Sequence, residues 1–167
     1  MPDDALLRRY LGAGAYADCY VIEVPRTVSQ AEFVEAFYTT AVFKLERLLL
    51  AWLAARPSTD AQAGELARGT RDRFAAWSVE ARKLDQLLLR DFQGRTRSWF
   101  MSAPTPDHQA TRLFFGSAVA PVVSRHSGEA GMGTAFRVLL GFHKVYSRVL
   151  LRAAVNRLAR AAPVSKA

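Results

Sequence analysis

One long amphipathic segment near the carboxyl end of the sequence constrains the fold most strongly. From residue 134 to about residue 161, apolar side chains recur at intervals of three or four, and Pro163 follows. This spacing predicts one helix, which Thr134 can cap, with an apolar stripe along one side. The stripe consists of Phe136, Leu139, Leu140, His143, Tyr146, Leu150 and Ala153. Such a stripe has to be buried against another layer of structure.

The sequence before this helix predicts a layer of strands. Four segments are dense in β-branched and aromatic residues or alternate in polarity, and these are residues 73–83, 86–92, 95–102 and 111–122. Gln93 and Gly94 form a two-residue connection of the hairpin type between the second and third segments. Together these features predict an antiparallel meander.

The amino-terminal part predicts a first strand and then a helix. Residues 17–25 are rich in strand formers and stop at a proline. Ser29 and Glu32 match a capping box, in which each residue satisfies a backbone N–H at the start of a helix. The helix that follows either runs to Ala55 or breaks near residues 39–40 into two shorter helices.

The order of these elements indicates an α+β fold. The predicted order is a strand, a helix or helix pair, a short helix at residues 65–72, the meander and the long helix. Such an order favours a curved antiparallel β-sheet wrapped around the C-terminal helix. The 167 residues are the size of one domain, so we expect a single domain over residues 1–167 with its core at about residues 17–161.

The same order resembles the START-like helix-grip fold, the superfamily that includes polyketide cyclases, plant allergen-like steroid binders and lipid-transfer domains. The resemblance rests on the strand at residues 18–24, the helices from Ser29, the meander at 74–122 and the helix at 134–161. Segments 94–99 and 113–118 also look like those of uncharacterised bacterial proteins with this architecture. The resemblance implies a cavity between sheet and C-terminal helix for a small apolar molecule, lipid-, sterol- or polyketide-like.

His143 and Tyr146 are the candidate catalytic residues. They are three positions apart on the final helix, so both can face the sheet. An imidazole beside a phenol in an apolar pocket could polarise a carbonyl or move a proton, as in a cyclase, dehydratase or isomerase. Alternatively, both are core side chains whose polar atoms bond backbone carbonyls. Binding without catalysis is the favoured function, and catalysis by this pair is the alternative.

Arg95, Arg97, Trp99 and Met101 alternate along one predicted strand and therefore share a face. If that face is concave, Arg97 could pair with a ligand carboxylate while Trp99 stacks on the ligand. If it is convex, Thr96, Ser98 and Phe100 point inwards instead, and the pattern does not decide between the two. The candidate ligand-binding residues are Trp77, Arg97, Trp99, Met101, Phe115, Phe136, His143 and Tyr146.

The positive charge is concentrated at one end of the sequence. The net charge is +8, and residues 125–167 hold eight basic residues and one acidic residue, or +7. On the final helix, a basic stripe lies opposite the apolar one and consists of Arg137, Lys144, Arg148 and Arg152. The stripe could meet an anionic membrane surface or an acidic protein, or it could be a solvated helix face. No motif of specific nucleic-acid binding accompanies it.

Several other classes of function are disfavoured. Cys19 is the only cysteine, which excludes an intrachain disulfide and disfavours a zinc site, and no metal or cofactor is expected. Loop residues His108 and His126 lack other ligand types nearby, and the carboxylates Glu80, Asp85 and Asp91 are expected to pair with surface cations. No signal peptide or membrane span is predicted, so a cytoplasmic location is expected.

Overall fold

The computed structural model describes residues 1–11, 15–45, 47, 57–119 and 134–161, and within the last range it describes the side chains of residues 146–160. The described residues form an α+β fold. Six antiparallel strands make one open sheet, and the C-terminal helix packs on it. The α+β class, the antiparallel sheet and the packing of the C-terminal helix on it are therefore confirmed.

The strands follow one another along the chain, but the first strand lies beside the last. The strands are β1 (Tyr16–Val24), β2 (Arg73–Phe74), β3 (Trp77–Arg82), β4 (Gln86–Asp91), β5 (Thr96–Pro104) and β6 (Thr111–Val119). Their order in the sheet is β1-β6-β5-β4-β3-β2. The helices are α1 (Gln30–Tyr38), α2 (Asp60–Arg68) and α3 (Thr134–Ala161), and a short 3-10 helix covers Leu6–Tyr10.

The helix after β1 ends near residues 39–40, one of the two alternatives that the sequence predicts. Ser29 and Glu32 form the predicted capping box at the start of α1. The hydroxyl of Thr39 donates to the carbonyl of Glu35 at 2.7 Å, and that of Thr40 donates to the carbonyl of Phe37 at 2.9 Å. Such local bonds compete with the helical ladder and favour its end. Residues 41–45 are helical again, and the predicted continuation to Ala55 lies outside the described residues.

Two boundaries differ from the prediction. The predicted strand 73–83 is two strands, because the backbone turns at residues 75–76, where Ala75 has a φ of 49°. The predicted helix 65–72 begins earlier and ends earlier, at Asp60–Arg68. Thr59 and Gln62 form a second capping box that fixes its start, and Gly69 ends it in the left-handed conformation.

The buried side of α3 is rotated from the predicted stripe. Tyr146 and Ala153 are only half-buried and lie at its border. The fully buried positions among those described are Ser147, Leu150, Leu151, Ala154 and Leu158. These residues pack towards α1 and β1. The predicted stripe was drawn through hydrophobic residues and therefore left out Ser147, which is buried. This omission explains the difference between the predicted and the observed side.

Both faces of the sheet are covered. We call the face towards the helices the inner face, where Phe37 of α1 lies 4.8 Å from the ring centre of Phe100 and 4.7 Å from that of Phe115. The opposite, outer face is covered by the amino-terminal segment, whose Leu7 is fully buried beside Trp99. Buried Gln86 secures this segment, since its side-chain oxygen accepts from the backbone N–H of Leu6 at 2.8 Å and from the indole of Trp99 at 2.9 Å.

Replacing Gly116 with alanine should destabilise the protein. An added Cβ would lie 2.7 Å from the Leu7 side chain and 2.8 Å from the backbone oxygen of Asp18, and the backbone cannot move cheaply. We expect Gly116→Ala to lower the free energy of unfolding by about 2 kcal/mol, measured by urea denaturation.

Gly64→Ala is the matched control. The three atoms nearest to its new Cβ all belong to the flexible end of Arg68, so the gain in helix propensity should dominate and raise the free energy of unfolding by about 0.5–1 kcal/mol. Equal stability of the two variants would contradict the close packing at Gly116.

Candidate functional site

A cavity of about 240 Å³ lies between the inner face of the sheet, the end of α1 and the middle of α3. Aromatic rings form most of its wall, with a smaller number of polar side chains. Its lining residues are Phe37, Tyr38, Phe43, Ala76, Trp77, Asp91, Phe92, Thr96, Ser98, Phe115, Tyr146, Ser147 and Leu150. The site therefore combines one end of the sheet with two helices.

Small side chains at three positions of the lining leave this space unfilled. Ser98 comes two residues before Phe100 on the inner face of β5, Ala76 precedes β3, and Ser147 lies on the buried side of α3. Larger residues at these positions would extend the packed cluster of Phe37, Phe100 and Phe115. Along the inner face, large residues therefore give way to small ones, and the cavity lies beside the small ones.

Two polar atoms of lining residues are buried without a hydrogen-bond partner. They are Nε1 of Trp77 and Oγ of Ser147. An unsatisfied buried donor costs about 1–3 kcal/mol of stability. Ser147 itself is 1% exposed, so bulk water does not solvate its hydroxyl. Two residues of the lining therefore carry a polar atom that is buried, nearly inaccessible and unsatisfied by the described protein.

Asp91 is the only charged side chain among the described residues of the lining. Its Oδ1 accepts from the backbone N–H of Arg95 at 2.7 Å and from that of Thr96 at 3.1 Å. Both bonds belong to the turn between β4 and β5, in which Gly94 has a φ of 70°. The turn therefore fixes a carboxylate at the rim of the cavity.

The structure places three of the predicted ligand-binding residues in this cavity. Trp77, Phe115 and Tyr146 line it. The side chains of Phe136 and His143 lie outside the described residues. The sequence therefore identified aromatic members of the wall, whereas it missed the polar members Ser147, Ser98 and Asp91 as cavity groups.

The other three predicted residues lie on the opposite face of the sheet. Trp99 and Met101 pack in the outer cluster beside Leu7, and Arg97 shares their side of β5. They do not line this cavity, because Phe100 and Ser98 occupy the inner positions of this strand. Whichever face of β5 points inwards, one large ring, Trp99 or Phe100, is placed on it. The alternation of residues alone therefore could not decide between the two faces.

Arg97 is part of a polar cluster on the outer face. Its Nε lies 3.1 Å from Glu80 Oε2 and 2.9 Å from the Tyr10 hydroxyl, and Tyr10 donates to Glu80 at 2.5 Å. A β-bulge between Val79 and Ala81 leaves Glu80 as the extra residue of β3, and its carboxylate meets Arg97 from two strands away. Burial, followed by the hydrogen bond to Glu80, raises the pKa of Tyr10.

A second polar cluster lies on β1 and β6, and sequence reasoning missed it. Asp18 accepts from Tyr20 at 3.1 Å, from Tyr16 at 3.3 Å and from the hydroxyl of Ser117 at 2.6 Å. Ser117 is also the register partner of Ser98, which lines the cavity. The alternation Tyr-x-Asp-x-Tyr along β1 is the signal that could have revealed this cluster, because it places three polar groups on one face.

Tyr16 should ionise unusually late. Burial, followed by the negative charge of Asp18, raises the pKa of Tyr16 to about 12. Since the folded-state pKa is above the unfolded value, the associated stability is complete below about pH 10 and is lost as the pH rises through 12. Stopped-flow pH jumps, read at the tyrosinate absorbance before unfolding, should show a midpoint near pH 12 in the difference between wild type and Tyr16→Phe.

In Asp18→Asn the midpoint should fall but stay above 10, because the burial remains. Asp107→Asn, at an exposed carboxylate in the turn between β5 and β6, is the control and should leave Tyr16 unchanged. An unchanged midpoint in Asp18→Asn would contradict the role of Asp18, and ionisation near pH 10 in the wild type would contradict both causes.

The basic side of α3 is exposed where it is described. Arg148 lies over the ring of Tyr20 at 5.2 Å, and Arg152 is on the same side one turn later. Neither arginine forms a salt bridge within the described part of the chain. The side chains of Arg137 and Lys144 lie outside the described residues. No helix among the described residues is long and apolar enough to cross a membrane.

The remaining candidates form no site within the described residues. No group of three potential metal ligands occurs in this part of the structure. Cys19 is half-buried, and burial raises the pKa of its thiol. His108 occupies a turn with a φ of 57°, whereas His126 lies outside the described residues.

No protein-family profile matches this sequence, and no match was found among curated proteins. The function therefore has to be inferred from the cavity and its surroundings.

Proposed function

We propose that this protein is a START-like helix-grip protein that binds a small, predominantly apolar molecule in the cavity between the sheet and α3. The observation that carries the proposal is the cavity of about 240 Å³ with a largely aromatic wall. Concave sites of mainly apolar lining with few polar groups are the usual form of small-molecule sites. The order of strands and helices supports the helix-grip assignment.

The size of the cavity restricts the ligand. Its volume of about 240 Å³ corresponds to about eight water molecules of the liquid and lies below the range for drug-sized ligands. A molecule with about ten non-hydrogen atoms, or one part of a longer molecule, would fit. The aromatic wall favours a ring system, since rings pack edge-to-face against other rings.

The proposal rests on binding, because the cavity is described, and catalysis is the second candidate function. Tyr146 lines the cavity, but its proposed partner His143 has no described side chain. A cyclase, dehydratase or isomerase using this pair remains the alternative. A docking role for the basic side of α3, towards an anionic membrane or an acidic protein, also stays a prediction and does not compete for the same cavity.

Filling part of the cavity should weaken binding without unfolding the protein. Leucine at position 98 would project into the space beside Phe115, because Ser98 lies on the inner face and lines the cavity. At about 0.6 kcal/mol per non-hydrogen atom, indane should bind the wild type with a Kd of about 0.1 mM. We expect Ser98→Leu to weaken this at least about tenfold in calorimetry, with stability changed by less than about 1.5 kcal/mol.

Ser78→Leu is the matched control. Ser78 is on β3 one residue after Trp77, so it belongs to the other face of the strand, and it does not line the cavity. Its affinity for indane should equal that of the wild type. Unchanged affinity in Ser98→Leu would contradict binding in this cavity, and absence of indane binding to the wild type would contradict the proposed function.

A further inference from the structure

We infer that the cavity takes a small ring system that bears a primary or secondary amine, with the protonated amine beside Asp91. The inference rests on the proposed function and adds the chemical class of the ligand. Two features of the described lining support it, and both are groups present in the wall: the carboxylate of Asp91 and the aromatic rings next to it.

The charged group of the described lining lies where the cavity meets solvent. Phe37 and Phe115 are buried, whereas Asp91 and Thr96 are half-buried and Phe92 is 51% exposed. We call these last three residues the mouth of the cavity. A ligand would therefore place its ring inside and its charged group at the mouth, where that group keeps part of its hydration and costs less to bind.

Asp91 projects from the inner face of the sheet. It follows Leu87 and Leu89 of the inner cluster at alternate positions of β4, so the three side chains share one face. The turn N–H groups of Arg95 and Thr96 donate to Oδ1 alone. Because a carboxylate can accept about four hydrogen bonds, these two leave acceptor positions on Oδ2. A protonated amine supplies N–H donors together with the opposite charge.

Aromatic rings lie beside this carboxylate. Trp77 of β3 is the register partner of Asp91 and lines the cavity. Opposite residues of an antiparallel pair have Cβ atoms about 4.5–5.5 Å apart, so an ammonium bonded to Asp91 would lie near the indole ring. Phe92 adds a second ring at the mouth. Indole and phenyl rings attract cations within about 6 Å, so the rings and the carboxylate favour the same charge.

The basic residues of β4 and β5 lie on the outer face. Arg90 directly precedes Asp91, and its register partner Arg97 pairs with Glu80 on that face. Alternation therefore places both arginines on the side of the sheet away from the cavity. The net charge of +8 opposes a cation at long range, but salt screens it over about 10 Å, whereas contact with Asp91 persists.

Four probes with one bicyclic skeleton test the charge of the ligand. Indane is apolar, 2-indanol adds a neutral hydroxyl, 2-aminoindane adds an ammonium at neutral pH, and indane-2-carboxylate adds a negative charge. In calorimetric titrations of the wild-type protein at about 0.1 M salt, 2-aminoindane should bind about tenfold more tightly than 2-indanol, as one exposed ion pair and one cation–π contact allow. Indane-2-carboxylate should bind more weakly than 2-indanol.

Asp91→Asn removes the charge and keeps the turn, because the asparagine oxygen can still accept from the backbone N–H groups of Arg95 and Thr96. The affinity ratio of 2-aminoindane to 2-indanol should fall at least about threefold, while the affinity for indane changes less than about twofold. Asp107→Asn is the matched control. Asp107 is an exposed carboxylate that also accepts from a turn N–H and is not among the lining residues, so the ratio should stay unchanged.

Trp77→Leu tests the ring separately. The affinity ratio of 2-aminoindane to 2-indanol should fall about threefold, because leucine offers no aromatic face, whereas Trp77→Phe should retain most of the ratio. Raising the salt concentration to about 1 M should lower the ratio in the wild type and change it less in Asp91→Asn, since the ion pair at the mouth is open to screening.

The outcomes distinguish this inference from the proposed function. Equal affinity for 2-aminoindane and 2-indanol in the wild type, or tightest binding of the carboxylate, would overturn the inference and leave the cavity as a binding site. A ratio that is unchanged in Asp91→Asn, or that falls equally in Asp107→Asn, would overturn it as well. Absence of binding of all four probes, indane included, would instead overturn the proposed function. The wild-type comparison needs no variant, so a variant that fails to fold does not prevent the test.

Discussion

The contact of Phe100 with Phe37 and Phe115 determines which face of β5 meets the helices, and most of the structure depends on that choice. With Phe100 inside, Ser98 must also lie inside, and Trp99 must lie outside. The small inner residue contributes to the cavity, whereas the large outer residue requires a cover of its own. A shift of one residue in β5 would exchange these two environments throughout the strand.

Local signals in the sequence predicted the ends of helices better than the faces of strands. The capping box at Ser29 and the break near Thr39 depend on side chains that bond to their own backbone neighbours, so they are visible in a few consecutive residues. Which alternate residues of β5 face the helices depends instead on what covers each face of the sheet. The cover of Trp99 comes from Leu7, far away in sequence, and no pattern within the strand shows it.

The same reasoning applies to the site. Aromatic residues such as Trp77 and Phe115 could be predicted as wall residues, because large rings on strands are buried in any case. Ser147 could not, since a serine within an apolar helix face gives no sign that it lacks a partner. Natural proteins violate such packing rules mainly at functional or strained sites, and Trp77 and Ser147, whose buried polar atoms lack partners, are both residues of the cavity lining.

The position of Gln86 has a consequence for the order in which the protein can form during synthesis. Its side chain holds Leu6, 80 residues earlier, and among the described strands β1 pairs with β6 alone, from Tyr16 with Val119 onwards. Residues 1–24 therefore leave the ribosome well before any of these partners has been made. Until β6 emerges, β1 has two unpaired edges, and such edges invite pairing with other chains. Slow translation or crowded expression should consequently harm this part of the chain first.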